Sequence, residues 1–168
     1  MIAASLALAV VAVAAFGPES ALLPALALAA VAPPLVRTDV AEHRLPNRLV
    51  VPALIAGAVG FGVRWLAEGH PSFVPVLAAV AYGGALLVFA LFGGMGMGDV
   101  KLAAALGLAS PTVAVAVLSP LLAFLLGGIG AVVALIRRGP RSRVAFGPYL
   151  LGGYFAALTI AAIARLMS

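Results

Sequence analysis

Long apolar runs, broken by short polar or charged segments, organise this chain. The runs fall at roughly 2–16, 20–36, 48–66, 72–92, 111–136 and 146–167, with a shorter apolar piece at 99–110. A helix needs ~20 apolar residues to cross the hydrocarbon core of a bilayer, and at ~1.5 Å per residue the short piece reaches only ~18 Å. The pattern predicts an all-α, polytopic transmembrane helical bundle of six long spans plus one short span, forming a single membrane-embedded domain over residues 1–168. Prolines 24, 33, 34, 52, 75 and 120 lie within or beside spans, where neighbouring helices re-satisfy the backbone groups they free. Gly57, Gly60, Gly127, Gly128, Gly130, Gly152 and Gly153 are expected to let helices pack closely. The first 16 residues have the apolar run of a signal peptide but no basic residue before Arg37, so they are expected to stay as a span.

Composition agrees with this pattern. Hydrophobic residues make up 65% of the chain, charged residues 9%, and the mean hydropathy is +1.24, whereas soluble domains are about 45–50% apolar. The net charge of +5 does not point to nucleic acid, because the basic residues sit in the breaks between spans, where they orient the chain. Arg37, Arg44, Arg48, Lys101, Arg137, Arg138, Arg141 and Arg143 fall in alternate breaks. The other side carries Glu19, Glu68 and His70, with Arg64 and Arg165 near span ends. The positive-inside rule places the first set in the cytoplasm. Two crossings are then needed between Lys101 and Arg137, so the short 99–110 piece must count as one, with Ser110-Pro111 as its outer turn. The expected topology has seven crossings, N-terminus in and C-terminus out. The absence of cysteine excludes disulfides and thiolate metal sites. His43 and His70 give no metal-ligand spacing, and no metal or cofactor is expected.

Against this apolar background two charged segments stand out, Asp39-Val40-Ala41-Glu42-His43-Arg44-Leu45-Pro46-Asn47 and Gly94-Met95-Gly96-Met97-Gly98-Asp99-Val100-Lys101. Carboxylates at the edge of a span are costly and mark functional sites by default. Hydrolysing a peptide bond without Ser, Cys or metal needs one carboxylate to activate water and another to polarise the carbonyl, and two close carboxyls share a proton. Glu19 and Glu68 fall on the other side of the membrane, which leaves Asp39, Glu42 and Asp99. Position alone does not separate a catalytic Asp99 from one that caps a helix starting near Val100, nor Asp39 from Glu42 as its partner. The glycines before Asp99 allow positive φ and close backbone approach, so a substrate strand has room to lie there. Lys101 is expected to extend toward lipid headgroups, and Asn47 to cap the third span. The glycine run is not a phosphate-binding loop, since no Gly-Lys-Ser/Thr follows it.

Three elements together carry a resemblance. Asp39 with Arg44-Leu45-Pro46-Asn47, then Gly96-Met97-Gly98-Asp99-Val100-Lys101, then Phe146-Gly147-Pro148-Tyr149 resemble, in order and separation, the type IV prepilin peptidase family of Gly-x-Gly-Asp membrane aspartyl proteases. The resemblance covers nearly the whole chain. It implies that Asp39 and Asp99 are the catalytic pair and that the substrates are prepilin-like proteins. Their basic leader peptide would be removed at the cytoplasmic face of the bacterial inner membrane, typically after a glycine. Substrate contacts are expected at Glu42, Gly96, Gly98, Lys101, Phe146, Gly147 and Pro148, with Phe146-Gly147-Pro148 shaping the wall of the site or simply bending the entry to the last span. Longer members carry a cytoplasmic loop with paired Cys-x-x-Cys elements that binds zinc, and they also methylate the new N-terminus. This chain has neither cysteine nor loop; it resembles the short members that serve Flp-type pili or type II secretion-like systems, and methylation does not carry over. The expected partners are prepilin-like substrates and the lipid bilayer. An ion- or proton-coupled transporter or channel subunit using the same acids is the second reading, and a packing scaffold the third. A presenilin-like protease shares Gly-x-Gly-Asp, but the Leu-Pro-Asn and Phe-Gly-Pro elements fit the prepilin family better.

Overall fold

The computed structural model describes residues 1–16, 22–69, 72–93, 95–139 and 144–167. Glu19, His70, Gly94, Arg141 and Arg143, and the side chains of Glu68 and Arg138, lie outside the described residues. The described chain forms seven helices: α1 Ile2–Phe16, α2 Leu22–Glu42, α3 Asn47–Glu68, α4 Val74–Leu91, α5 Met97–Leu108, α6 Val113–Arg138 and α7 Gly147–Met167. Each expected apolar run forms a helix over its described residues, but the expected count of long spans needs correction. Among the described residues five helices (α2, α3, α4, α6 and α7) are long and apolar enough to cross a membrane. The first expected span is a helix of only 15 residues, about 22 Å of rise against a hydrocarbon core of ~30 Å.

The second correction concerns α2. The expected span ends at residue 36, after Pro33 and Pro34 and just before Arg37; the helix instead runs on to Glu42 and carries Asp39 in its last turn. It continues because intrahelical bonding satisfies the backbone, and Thr38 Oγ1 returns a bond to the Pro34 carbonyl at 2.9 Å. It ends where His43 adopts φ 52°, with its N–H on the Asp39 carbonyl at 2.8 Å.

The helices alternate in direction. The end of α2, the start of α3 and the start of α5 line one cavity. The start of α2, the end of α3, the start of α4 and the end of α5 surround another, which includes Pro24, Arg64, Pro75 and Pro111. The 12-residue α5 therefore connects the two ends of the bundle, as the charge pattern required. It does so from the middle: α5 packs on α3, α4 and α7, and Leu102, Ala103, Ala105 and Leu106 are buried almost completely. Helix α7 contacts α1, α2, α5 and α6 and buries Leu150, Leu151, Tyr154, Ala157 and Leu158. The outer helices instead expose large apolar side chains, among them Val80, Phe89, Leu121, Leu125 and Ile129. Such a surface suits lipid and is wrong for water.

Small residues set the closest approaches. A Cβ placed on Gly153 would lie 2.5 Å from the Ala123 nitrogen, and one on Gly107 would run into the Ala78–Ala79 backbone. Gly57 and Gly127 meet Leu108 and Phe146 in the same way, whereas Gly128 faces open space. Buried hydroxyls attend to carbonyls that the helices leave free. Pro120 has no N–H for the Ala116 carbonyl one turn earlier, and the Tyr82 hydroxyl of α4 donates to that carbonyl. The Tyr154 hydroxyl of α7 donates to Ala109 O at 2.8 Å, just past the end of α5. The expected turn at Ser110-Pro111 lies between α5 and α6, and Thr112 caps α6 through Oγ1, which accepts from Val115 N–H at 3.3 Å.

Candidate active site

Three helix ends meet at the site. Helix α2 brings Asp39, which is only 4% exposed. Helix α5 brings Asp99 in its first turn, at the positive end of the helix dipole. Asp99 is not a cap: the N-cap is Gly96, whose carbonyl accepts the Asp99 N–H at 3.1 Å, and the helix has begun by Met97. Asp39 and Asp99 line one cavity of about 500 Å³ together with Glu42, His43, Gly96 and Gly98. Their carboxylates are close enough to act on one another electrostatically. Among the described residues Asp99 Oδ1 is buried without a hydrogen-bond partner. Asp39 Oδ2 accepts the backbone N–H of Gly147, at the start of α7, at 2.8 Å.

The glycines of the Asp99 bend act through space rather than through unusual dihedrals. Gly96 has φ −81°, and the positive φ expected in this bend falls earlier, at Gly93 (φ 75°). Gly98 is inside α5, and a Cβ there would lie 2.7 Å from Leu45 Cβ and 3.0 Å from Leu45 O. Gly147 meets the other end of the same side chain, since a Cβ there would lie 3.2 Å from Leu45 Cδ2 and 2.7 Å from Asp39 Oδ2. Leu45 thus fills the space between the backbone that presents Asp99 and the backbone that bonds Asp39.

The remaining expected site residues divide. Glu42 is exposed at the cavity, with Arg44 and Arg48 on the same wall. Lys101 does not line the cavity; its Nζ donates to Asn47 Oδ1 at 3.0 Å and ties α5 to the start of α3. Asn47 correspondingly does not cap α3, whose N-cap position is Pro46 with no side-chain cap. Pro148 lines a neighbouring groove of about 460 Å³ between α2, α6 and α7, which shares His43 with the acidic cavity. Phe146 packs on Phe124 of α6, ring centroids 5.6 Å apart, and its carbonyl accepts from Tyr149 and Leu150 N–H. It belongs to the entry bend of α7 rather than to the cavity wall.

Sequence reasoning missed the Lys101–Asn47 bond, the place of Leu45 and the presence of His43 at the cavity. His43 was findable, one helical turn after Asp39. Nothing in the pattern of the chain pairs position 101 with position 47.

A family model described as the type IV leader peptidase family matches residues 26–135. The chain belongs to the type IV leader peptidase family. The matched region holds α3, α4 and α5 whole, most of α2 and α6, and both aspartates; Phe146, Gly147 and Pro148 lie beyond it. Neither a curated protein nor a solved structure gives a match. Membership makes this a peptidase-family fold built of membrane-type helices.

Proposed function

We propose that this chain is a membrane aspartyl endopeptidase that removes the basic leader of prepilin-like proteins, with Asp39 and Asp99 as its catalytic pair. The observation that carries the reading is the single cavity onto which α2 and α5 bring three of the chain's five acidic residues, Asp39 and Asp99 largely buried and Glu42 exposed. One carboxylate, ionised, takes a proton from water as the water oxygen attacks the scissile carbonyl. The other, protonated, donates a hydrogen bond to the carbonyl oxygen. Collapse of the tetrahedral intermediate breaks the C–N bond, and the proton taken from water passes to the leaving amine. Their shared proton is a property of the pair.

The cavity opens at the end of the bundle that carries Arg44, Arg48 and Arg137. The positive-inside rule supports a cytoplasmic mouth in the bacterial inner membrane. Gly96, exposed at the cavity, leaves backbone accessible to an extended substrate, whereas Gly98 is covered by Leu45; Glu42 offers a basic leader its nearest counter-charge outside the pair. An oriented substrate whose apolar segment stays in the bilayer would present its leader there.

The test is hydrolysis of a prepilin-like substrate by the purified protein in liposomes, followed across pH. A bell-shaped kcat/KM is expected, because activity needs one ionised and one protonated carboxyl. A pH-independent rate, or ion flux through the liposomes without cleavage, would overturn the reading and favour a transporter.

A further inference from the structure

Gly147 occupies the first position of α7, where the opening N–H groups have no partner within the helix. Pro148 has no N–H to offer, so the Gly147 donor stands apart from the rest of the first turn. It points at Asp39 Oδ2, 2.8 Å away, across 108 positions of sequence. The contact is tight as well as directional. A Cβ on residue 147 would sit 2.7 Å from Asp39 Oδ2 and 3.3 Å from its Cγ. The missing side chain and the free donor therefore act on the same carboxylate oxygen. A third requirement coincides there: the residue before a proline is steered out of helical geometry by its own Cβ, and Gly147 is helical and precedes Pro148.

Asp39 needs such a tether. It lies one turn from the end of α2, beyond Pro33 and Pro34, just before the chain reverses at His43. No other hydrogen bond to its carboxylate occurs among those described. Leu45 extends the constraint to the partner acid, because it is pressed between the bare backbones of Gly147 and Gly98, and Asp99 follows Gly98 directly.

We infer that Gly147 is a positioning residue for the reaction: its N–H fixes Asp39 Oδ2 and so leaves Oδ1 as the oxygen that meets water and substrate. This rests on the Asp39–Asp99 reading. The role differs from the substrate contact expected for this residue, and it comes from a helix outside the family-matched region.

The test compares Gly147→Ala with the parent, and repeats the comparison in a Pro148→Ala background, which removes the local conflict with proline. A kcat lower by about tenfold or more in both backgrounds, with KM changed less than about twofold, is expected because the added Cβ, 2.7 Å from Asp39 Oδ2, pushes the carboxylate off the N–H that alanine still carries. An amide-to-ester replacement at position 147 deletes the N–H without adding an atom and carries the test if Gly147→Ala does not accumulate; it should lower kcat in the same way. Parent-like kcat in the ester form, or in Gly147→Ala once Pro148 is replaced, would overturn the positioning role. Asp39→Asn and Asp99→Asn run alongside: if both abolish cleavage while the Gly147 changes do nothing, only the positioning role fails, whereas cleavage retained in either aspartate variant removes the pair itself.

Discussion

Leu45 shows how few contacts hold the site together. Its side chain meets the positions that a Cβ would occupy on Gly98 and on Gly147, so one residue spaces the segments that carry Asp99 and the Asp39 tether. Gly98→Ala should therefore force Leu45 or α5 to move, at about 1–3 kcal/mol, the usual range for overpacking. Replacing Leu45 by Ala in the same chain should recover part of that stability, read by thermal unfolding in detergent. Lys101 and Asn47 make a similar link between α5 and α3 at the exposed rim. Lys101→Ala and Asn47→Ala should each cost under about 1 kcal/mol, and the double variant little more than either one, because both remove the same bond. Additive losses would mean that the two residues act separately.

At the scale of elements, helix α4 is tied to α6 by the consequence of a proline. Pro120 leaves Ala116 O without its intrahelical donor, and the Tyr82 hydroxyl supplies one. Tyr82→Phe should destabilise the protein by about 1–2 kcal/mol, and the loss should shrink when Pro120 is replaced by Ala, which restores the N–H. An equal loss in both backgrounds would show that this bond does not substitute for the missing one. Here the limits of reading a sequence are physical. The positions of all seven helices follow from hydrophobicity, which is a local property, and even the short α5 was required as a crossing by the charges on either side of it. The end of α2 was not legible. Pro33, Pro34 and Arg37 look like a terminus, and the partner of Asp39 lies in α7, far along the chain. At the Asp99 bend close backbone approach is present, but the group that approaches Gly98 is Leu45 of the chain itself. The glycines of the bend suggest unusual dihedrals, but Gly98 is helical and is needed because Leu45 occupies the space a side chain would take. Both aspartates could be singled out because acids are scarce in this chain; what holds them in place could not be, because it is made of backbone groups and packing.

For the molecule as a whole, the arrangement puts the two aspartates at one end and an aromatic cluster at the other. Phe61 and Trp65, in the last turns of α3, cluster with Phe73, just before α4, with Trp65 and Phe73 rings 5.7 Å apart. This is the end away from Asp39 and Asp99, and Trp65, the amphipathic ring of the three, is of the type that favours the membrane–water interface. The chain has no cysteine, so single cysteines report orientation cleanly. Arg44→Cys should react with an impermeant thiol reagent only from the cytoplasmic side, and Phe73→Cys only from the other. Labelling of both from one side would contradict the alternating arrangement in a membrane, and the reverse pattern would place the cavity outside the cell.

The account rests above all on Asp39 and Asp99 acting as a pair, and the most direct measurement is leader cleavage of a co-expressed prepilin-like protein. It is read by gel shift and N-terminal sequencing of the product, at matched membrane levels of each variant. Asp39→Asn and Asp99→Asn should each abolish processing, while Glu42→Gln should still cleave, with any change confined to KM. Full processing by either aspartate variant would contradict the account.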